Sequence, residues 1–188
     1  MIVKTHPARK FLPHEVPSWV PQGARHFITF GLANRTERLL TQPEIATTLL
    51  DSAFFYEEAG RWYLWLMVVM PDHVHLILSF PWAASIRRTL AAWKHYQARQ
   101  IKTHFQRDFF EHRLRDDDEF QEKCSYVRMN PVRKGLAANM DDWPWVCGRQ
   151  EIEGRARSPS APPWGSNNRH SKLPARRDCA PYPRGANG

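Results

Sequence analysis

Cysteine is scarce in this chain, and Cys124, Cys147 and Cys179 stand far apart with no Cys-x-x-Cys pair. An odd, dispersed set argues against a disulfide framework and against a structural zinc knuckle, and suits a reducing, cytoplasmic setting. Long apolar runs are also missing. The longest, Trp62 to Pro71, is about half of what a membrane-crossing helix needs, so no membrane partner is expected. The opening residues Met1 to Pro7 hold no apolar stretch of the kind a signal peptide carries. Acid is in deficit: 27 Lys and Arg face 19 Asp and Glu, a formal charge of +8 with a pI near 9.8. That balance favours a polyanionic partner, nucleic acid above all. No internal repeat is visible.

Aliphatic residues are almost absent from the C-terminal end, and prolines crowd both ends. Residues 1–24 contain Pro7, Pro13, Pro17 and Pro21 with Gly23, and read as an arm laid over a domain surface. Residues 148–188 contain six prolines and eight basic against three acidic residues, and read as a basic tail without regular structure. Such a tail either tethers nucleic acid or has no essential role. Between them, residues 25–147 hold the periodic segments of one domain.

Arg25–Leu32 (RHFITFGL) reads as a first strand. Thr41 and Glu44 match a capping box, opening a helix to about Glu58 with Ile45, Leu49, Leu50, Ala53 and Phe54 along its stripe. Arg61–Met70 is apolar on both alternating faces, as in a strand covered on both sides. Pro71-Asp72 connects it to a second strand, His73–Phe80, so closely that the two should pair antiparallel. A helix from about Ser85 to Thr103 follows, then a strand over Phe105–Leu114. A third helix begins at Asp116, with Glu119 completing a second capping box, and should end near Asn130 because Pro131 disfavours helical geometry before it. The order strand–helix–strand–strand–helix–strand predicts an α+β domain, the ferredoxin-like split βαβ antiparallel sheet, with an extra C-terminal helix.

The chemistry is carried first by His73 and His75. Side chains alternate along a strand, so both imidazoles point one way, with anchors about 7 Å apart. Val74, Leu76, Leu78 and Phe80 point the other way and form the apolar face. Two imidazoles so placed can converge on one metal ion or one phosphate. They need a third ligand and a nucleophile, and two helices offer the same pair: Tyr96 with Gln100, and Tyr126 with Asn130. Each sets a phenol and an amide four residues apart, on one helix face. Tyr96 adjoins Trp93 at the edge of an apolar stripe, where a packed tyrosine is ordinary. Tyr126 lies off the Phe120/Cys124/Val127 stripe, flanked by Glu122, Lys123 and Asn130, and spacing favours it without excluding Tyr96. Arg87, Arg88, Lys94, Arg113, Arg115, Arg128, Arg133 and Lys134 are candidates for phosphate contacts, and Phe110 and Trp143 for base stacking. His112 fits catalytic support or an ordinary strand position equally well.

The run MPDHVHLILSF resembles the histidine–hydrophobe–histidine motif of the HUH single-tyrosine transposases. FQRDFFEHRLR, then YVRMNPVRKGL and DDWPW, resembles one group of them, the REP-associated tyrosine transposases, over about residues 11–147. The resemblance implies a ferredoxin-like enzyme that cuts and rejoins single-stranded DNA at palindromic hairpins, in DNA transposition. By the same resemblance Tyr126 is the catalytic nucleophile, giving a 5′-phosphotyrosine. His73, His75 and Asn130 are then the ligands of a divalent ion, Mg²⁺ or Mn²⁺. Of the basic residues, Lys123, Arg113, Arg115, Arg128, Arg133 and Lys134 are the expected DNA contacts. The group further implies a monomer in the cytoplasm, at the nucleoid. Asp72 stands where many relatives carry asparagine, a departure that bears on metal affinity. Imidazoles with an amide oxygen suit Mn²⁺ better than Mg²⁺. The competing readings are a domesticated protein that binds hairpins without cutting, and a metal-dependent hydrolase with a water nucleophile.

Overall fold

A computed structural model describes residues 23–148 apart from Ala83. The N-terminal arm, save Gly23 and Ala24, and the basic tail, save Gly148, lie outside the described residues.

Among the described residues, five strands and four α-helices follow in the order β1 (Arg25–Gly31), α1 (Pro43–Glu58), β2 (Tyr63–Val69), β3 (His73–Ser79), α2 (Ile86–Gln100), β4 (Phe110–Leu114), α3 (Asp117–Arg128), α4 (Asn130–Arg133) and β5 (Val146–Gly148), with a 3-10 turn at Met140–Asp142 before β5. The sheet order is β4-β1-β3-β2-β5, and every neighbouring pair is antiparallel. The first four strands and first two helices are the expected split βαβ arrangement. β5 is an addition that the sequence reading did not foresee. Three residues give too short a run to show alternation, and β5 exists only because β2 offers a free edge, taken by Val146, Cys147 and Gly148 opposite Val68, Met67 and Leu66.

Alternation along β1 and β3 divides the molecule into layers. Ile28, Phe30, Val74, Leu76 and Leu78, all at most 1% exposed, face α1 and α2. The ring of Phe30 meets Trp93 of α2 edge-on at 5.7 Å, and Trp93 meets Trp62 at 5.4 Å. Two indole donors within this layer are paired: Trp62 Nε1 donates to the Ala53 carbonyl at 3.0 Å, and Trp93 Nε1 to Ser52 Oγ at 3.0 Å. The opposite face, carrying Arg25, Phe27, Thr29, His73 and His75, is packed by α3. Phe120 lies edge-on to Trp65 at 5.4 Å, and the Arg25 guanidinium sits over the Phe120 ring at 4.3 Å. Phe120, Cys124 and Val127 are buried as their stripe predicts.

Three local expectations are corrected. Helix α1 starts one residue later than expected, with Gln42 as its cap and no side-chain cap bond; Pro43 occupies the first turn, where its missing N–H and fixed φ cost nothing. The second box forms only by half. Asp116 accepts from the Glu119 amide at 2.8 Å, but the Glu119 carboxylate turns to the Arg115 amide and to His112. The expected strand over Phe105–Leu114 shortens to Phe110–Leu114, because the ammonium of Lys94 gathers the carbonyls of Gln106 and Arg107, each at 2.8 Å, and holds that stretch as a loop.

Lys94 is therefore not a DNA contact. It is 7% exposed, and burial pulls its ammonium below the usual lysine range. Lys94→Met strands those carbonyls, so urea unfolding is expected to show a loss of about 1–3 kcal/mol. Affinity of the folded variant for DNA should be unchanged, which a phosphate-binding lysine would not allow.

Candidate active site

Histidines 73 and 75 stand on β3 opposite Gly31 and Thr29 of β1. Their Nε2 atoms face each other at 3.1 Å, with the rings nearly perpendicular. Each ring is held from behind through its other nitrogen. His73 Nδ1 donates to the Asp72 carboxylate at 2.6 Å, and His75 Nδ1 shares a 2.8 Å hydrogen bond with the Thr29 hydroxyl. Two nitrogens bound at right angles to one octahedral ion at about 2.1 Å would themselves lie about 3 Å apart, so the separation fits a shared cation. The carboxylate behind His73 is the usual partner that orients a ligating imidazole.

Burial pushes the His75 imidazole down to about 3, helped by the charge of His73. His75 is therefore neutral at physiological pH, with a lone pair to offer. Burial works to raise the Asp72 carboxyl, but its bonds and charge contacts with His73 and Arg35 prevail and hold it below the ordinary carboxylate range. Gly31 makes room for this turn. A Cβ there would lie 3.0 Å from the Asp72 carbonyl and 3.4 Å from His73 Cβ. Gly31→Ala is expected to shift the Asp72–His73 pair and to weaken metal binding about tenfold, a fall calorimetric titration with Mn²⁺ would detect.

Helix α3 brings the tyrosine. Tyr126 is 42% exposed, and two cations bracket its ring: Lys123 Nζ at 5.1 Å and the Arg133 guanidinium at 4.9 Å. Lys123 also lies 5.0 Å from the Phe27 ring, which stacks on His75 at 5.7 Å. One chain of contacts thus runs from the histidine pair to the phenol. Tyr96 is exposed too, but it stands on α2, across the sheet, beside Tyr56. Asn130 is 8% exposed, and its Nδ2 donates to the Tyr126 and Val127 carbonyls at 3.2 and 3.3 Å. Its Oδ1 is the atom left to accept or ligate. The helix breaks at Met129 and resumes as α4, so Pro131 sits in a new first turn rather than ending the helix outright.

The other predicted contacts scatter. Arg133 and Lys134 are exposed at the end of α4, and Arg115 is exposed before α3. Arg128 is partly buried and lies near Gly148 at β5. Arg113 pairs with His26 in β1, on the sheet face away from the histidine pair. Arg87 and Arg88 stand on α2, on that same far side. Trp143 is a core residue, 8% exposed, donating Nε1 to the Val69 carbonyl at 3.0 Å, and is unavailable for stacking. His112 shares a 2.6 Å bond with Glu119 and braces β4 against α3. Thr29 was missed by sequence reasoning. Nothing local marks it, and only the β1–β3 register reveals what it touches.

A split βαβ sheet with an imidazole pair at the start of its third strand, and a tyrosine helix on the same face, fits a DNA-processing domain. The family described as Transposase IS200 like matches residues 24–123, just over half the chain. The protein belongs to this family. The matched span includes both histidines and stops short of Tyr126. The chain is 28% identical over 142 residues to the REP-associated tyrosine transposase of Escherichia coli strain K12, covering 70% of this chain and 80% of that one. A solved structure of a REP-associated tyrosine transposase bound to a REP hairpin superposes with a TM-score of 0.60 at 24% identity, over 70% of this chain and 81% of the other.

Proposed function

We propose that this transposase cuts and rejoins single-stranded DNA at hairpin-forming repeats through a phosphotyrosine on Tyr126. The observation that carries the proposal is the pair of facing Nε2 atoms at 3.1 Å, each imidazole fixed through its other nitrogen. His73, His75 and the Asn130 Oδ1 would hold a divalent ion, with Mn²⁺ better suited than Mg²⁺ to two imidazoles. When bound, such an ion supplies Lewis-acid polarisation of a phosphoryl oxygen.

The protein's own groups do the rest. Lys123 and Arg133 flank the phenol and neutralise the incoming phosphate. Tyr126 Oη attacks phosphorus, the phenol proton passes to solvent, and the bond to the 3′ oxygen breaks. That oxygen takes a proton and leaves as a 3′-hydroxyl, while the 5′-phosphate remains on the tyrosine. The phosphodiester is conserved, so a 3′-hydroxyl can reverse the step in place or elsewhere. The reading carries with it a monomer acting at the nucleoid.

The test is incubation with DNA hairpins labelled on either side of the cut, in Mn²⁺, followed by denaturing electrophoresis. A labelled band migrating with the protein is expected. Hairpin binding without that band would make this a binding protein that no longer cuts, and release of both labelled products without an adduct would indicate hydrolysis by water.

A further inference from the structure

Large apolar side chains are exposed at Phe55, Trp82, Tyr96, Phe110 and Tyr126 among the described residues. Phe55 and Tyr96 belong to α1 and α2, on the far side of the sheet. Trp82 follows the end of β3 remote from the histidines. Phe110 alone joins Tyr126 on the histidine side. It opens β4, the edge strand, opposite Thr29 of β1, which is itself opposite His75 of β3. Phe110 and His75 therefore share one row of the sheet, two strand spacings or about 10 Å apart.

We infer that Phe110 is a stacking platform for an unpaired DNA base, one neighbouring the phosphate that His73 and His75 face. The assignment rests on the DNA-cutting reading above. Phe110 is 58% exposed, so its ring presents a broad face to solvent. Beneath it lies Phe27, edge-on at 5.9 Å, only 6% exposed and itself stacked on His75. Phe110 is thus seated on the same aromatic column that supports the histidine, and its backbone is fixed by strand pairing. Lys123 stands beside that column, between Phe27 and Tyr126. A cation next to an open aromatic face, at the edge of a phosphate site, is how single strands are held without reading sequence: charge for the backbone, ring for the base. A protein partner would be matched less well, because the aromatic face is small and bordered by positive charge.

The experiment uses the full chain, in EDTA so that no cutting occurs, and a set of DNA hairpins with unpaired flanks carrying 2-aminopurine at successive positions. One flank position is expected to be quenched on binding. Phe110→Ala should relieve that quenching and weaken binding about five- to a hundredfold, while Phe110→Tyr retains both. An abasic nucleotide at the same position should weaken wild-type binding equally and abolish the difference between wild type and Phe110→Ala. This arm requires no mutation that could disturb β4. Equal affinity and an unchanged quenching pattern in Phe110→Ala, or an abasic series without effect, would overturn the platform. In that case a Tyr126 adduct still seen in Mn²⁺ would leave the cutting reading intact. Conversely, a Phe110-dependent quench without any adduct would sustain the platform and remove the cutting. Failure of wild type to bind any hairpin would remove both.

Discussion

Tyr126→Phe is expected to eliminate the covalent protein–DNA band, and Tyr96→Phe to leave it at wild-type level. The two tyrosines are alike in sequence: each precedes an amide by four residues and each is roughly half exposed, at 42% and 47%. They differ in what surrounds the hydroxyl. Tyr126 is bracketed by Lys123 and Arg133 and connects through Phe27 to the stacked His75. Tyr96 lies across the sheet beside Tyr56, out of reach of His73 and His75. Removing the oxygen deletes the nucleophile, so the loss should exceed about a thousandfold, beyond what loss of positioning alone supplies. The Tyr126 ring is partly exposed, and phenylalanine keeps it, so urea stability should change by less than about 1 kcal/mol. A Tyr126→Phe protein that still forms the adduct, or loss of the adduct in Tyr96→Phe, would reassign the nucleophile.

Substitution at His75 is the second large effect. His75→Gln keeps side-chain bulk against Phe27 but removes one of the two facing nitrogens. Affinity for Mn²⁺ should fall by at least about a hundredfold in calorimetric titration, and the adduct with it, while hairpin binding in EDTA persists. A graded companion is Asp72→Ala, which leaves both imidazoles but frees His73 Nδ1; outer partners of this kind are worth about ten- to a hundredfold in metal affinity. The ordering matters more than either value. If Asp72→Ala cost as much as His75→Gln, the carboxylate would be acting as a ligand itself rather than orienting the imidazole.

What the sequence made legible follows from periodicity. Side-chain alternation put His73 and His75 on one face and Val74, Leu76 and Leu78 on the other, and the strand and helix order led to the split βαβ sheet. The Phe120/Cys124/Val127 stripe turned Tyr126 toward the polar flank of its helix. What stayed hidden depends on contacts between distant segments. Lys94 reads as one more surface cation, and only the fold delivers the loop carbonyls that bury it. Trp143 reads as a free aromatic, until β5 pairs with β2 and draws it into the core. Arg113 and His112 are neighbours in sequence, yet alternation sends them to opposite faces of the edge strand, and the β1 register is needed to tell which is which. The burial of Cys124 has a chemical result as well: its thiol is pushed up to about 12, which keeps it protonated and unreactive beside the site.

The hydroxyl of Thr29 has a role that a carbonyl or a carboxylate could not fill. The Asp72 carboxylate accepts only, which keeps a hydrogen on His73 Nδ1 and turns the lone pair of its neutral form toward His75. The 3.1 Å contact needs a hydrogen on one of the two Nε2 atoms; where His75 carries it, its Nδ1 receives from Thr29. To present the Nε2 lone pair to a cation, a neutral His75 would carry its hydrogen on Nδ1, which then donates. A threonine hydroxyl serves either state by rotating about one bond, with no ring flip and no movement of the strand. The Thr29 hydroxyl would thus hold the His75 ring in place in whichever tautomer a cation required of it.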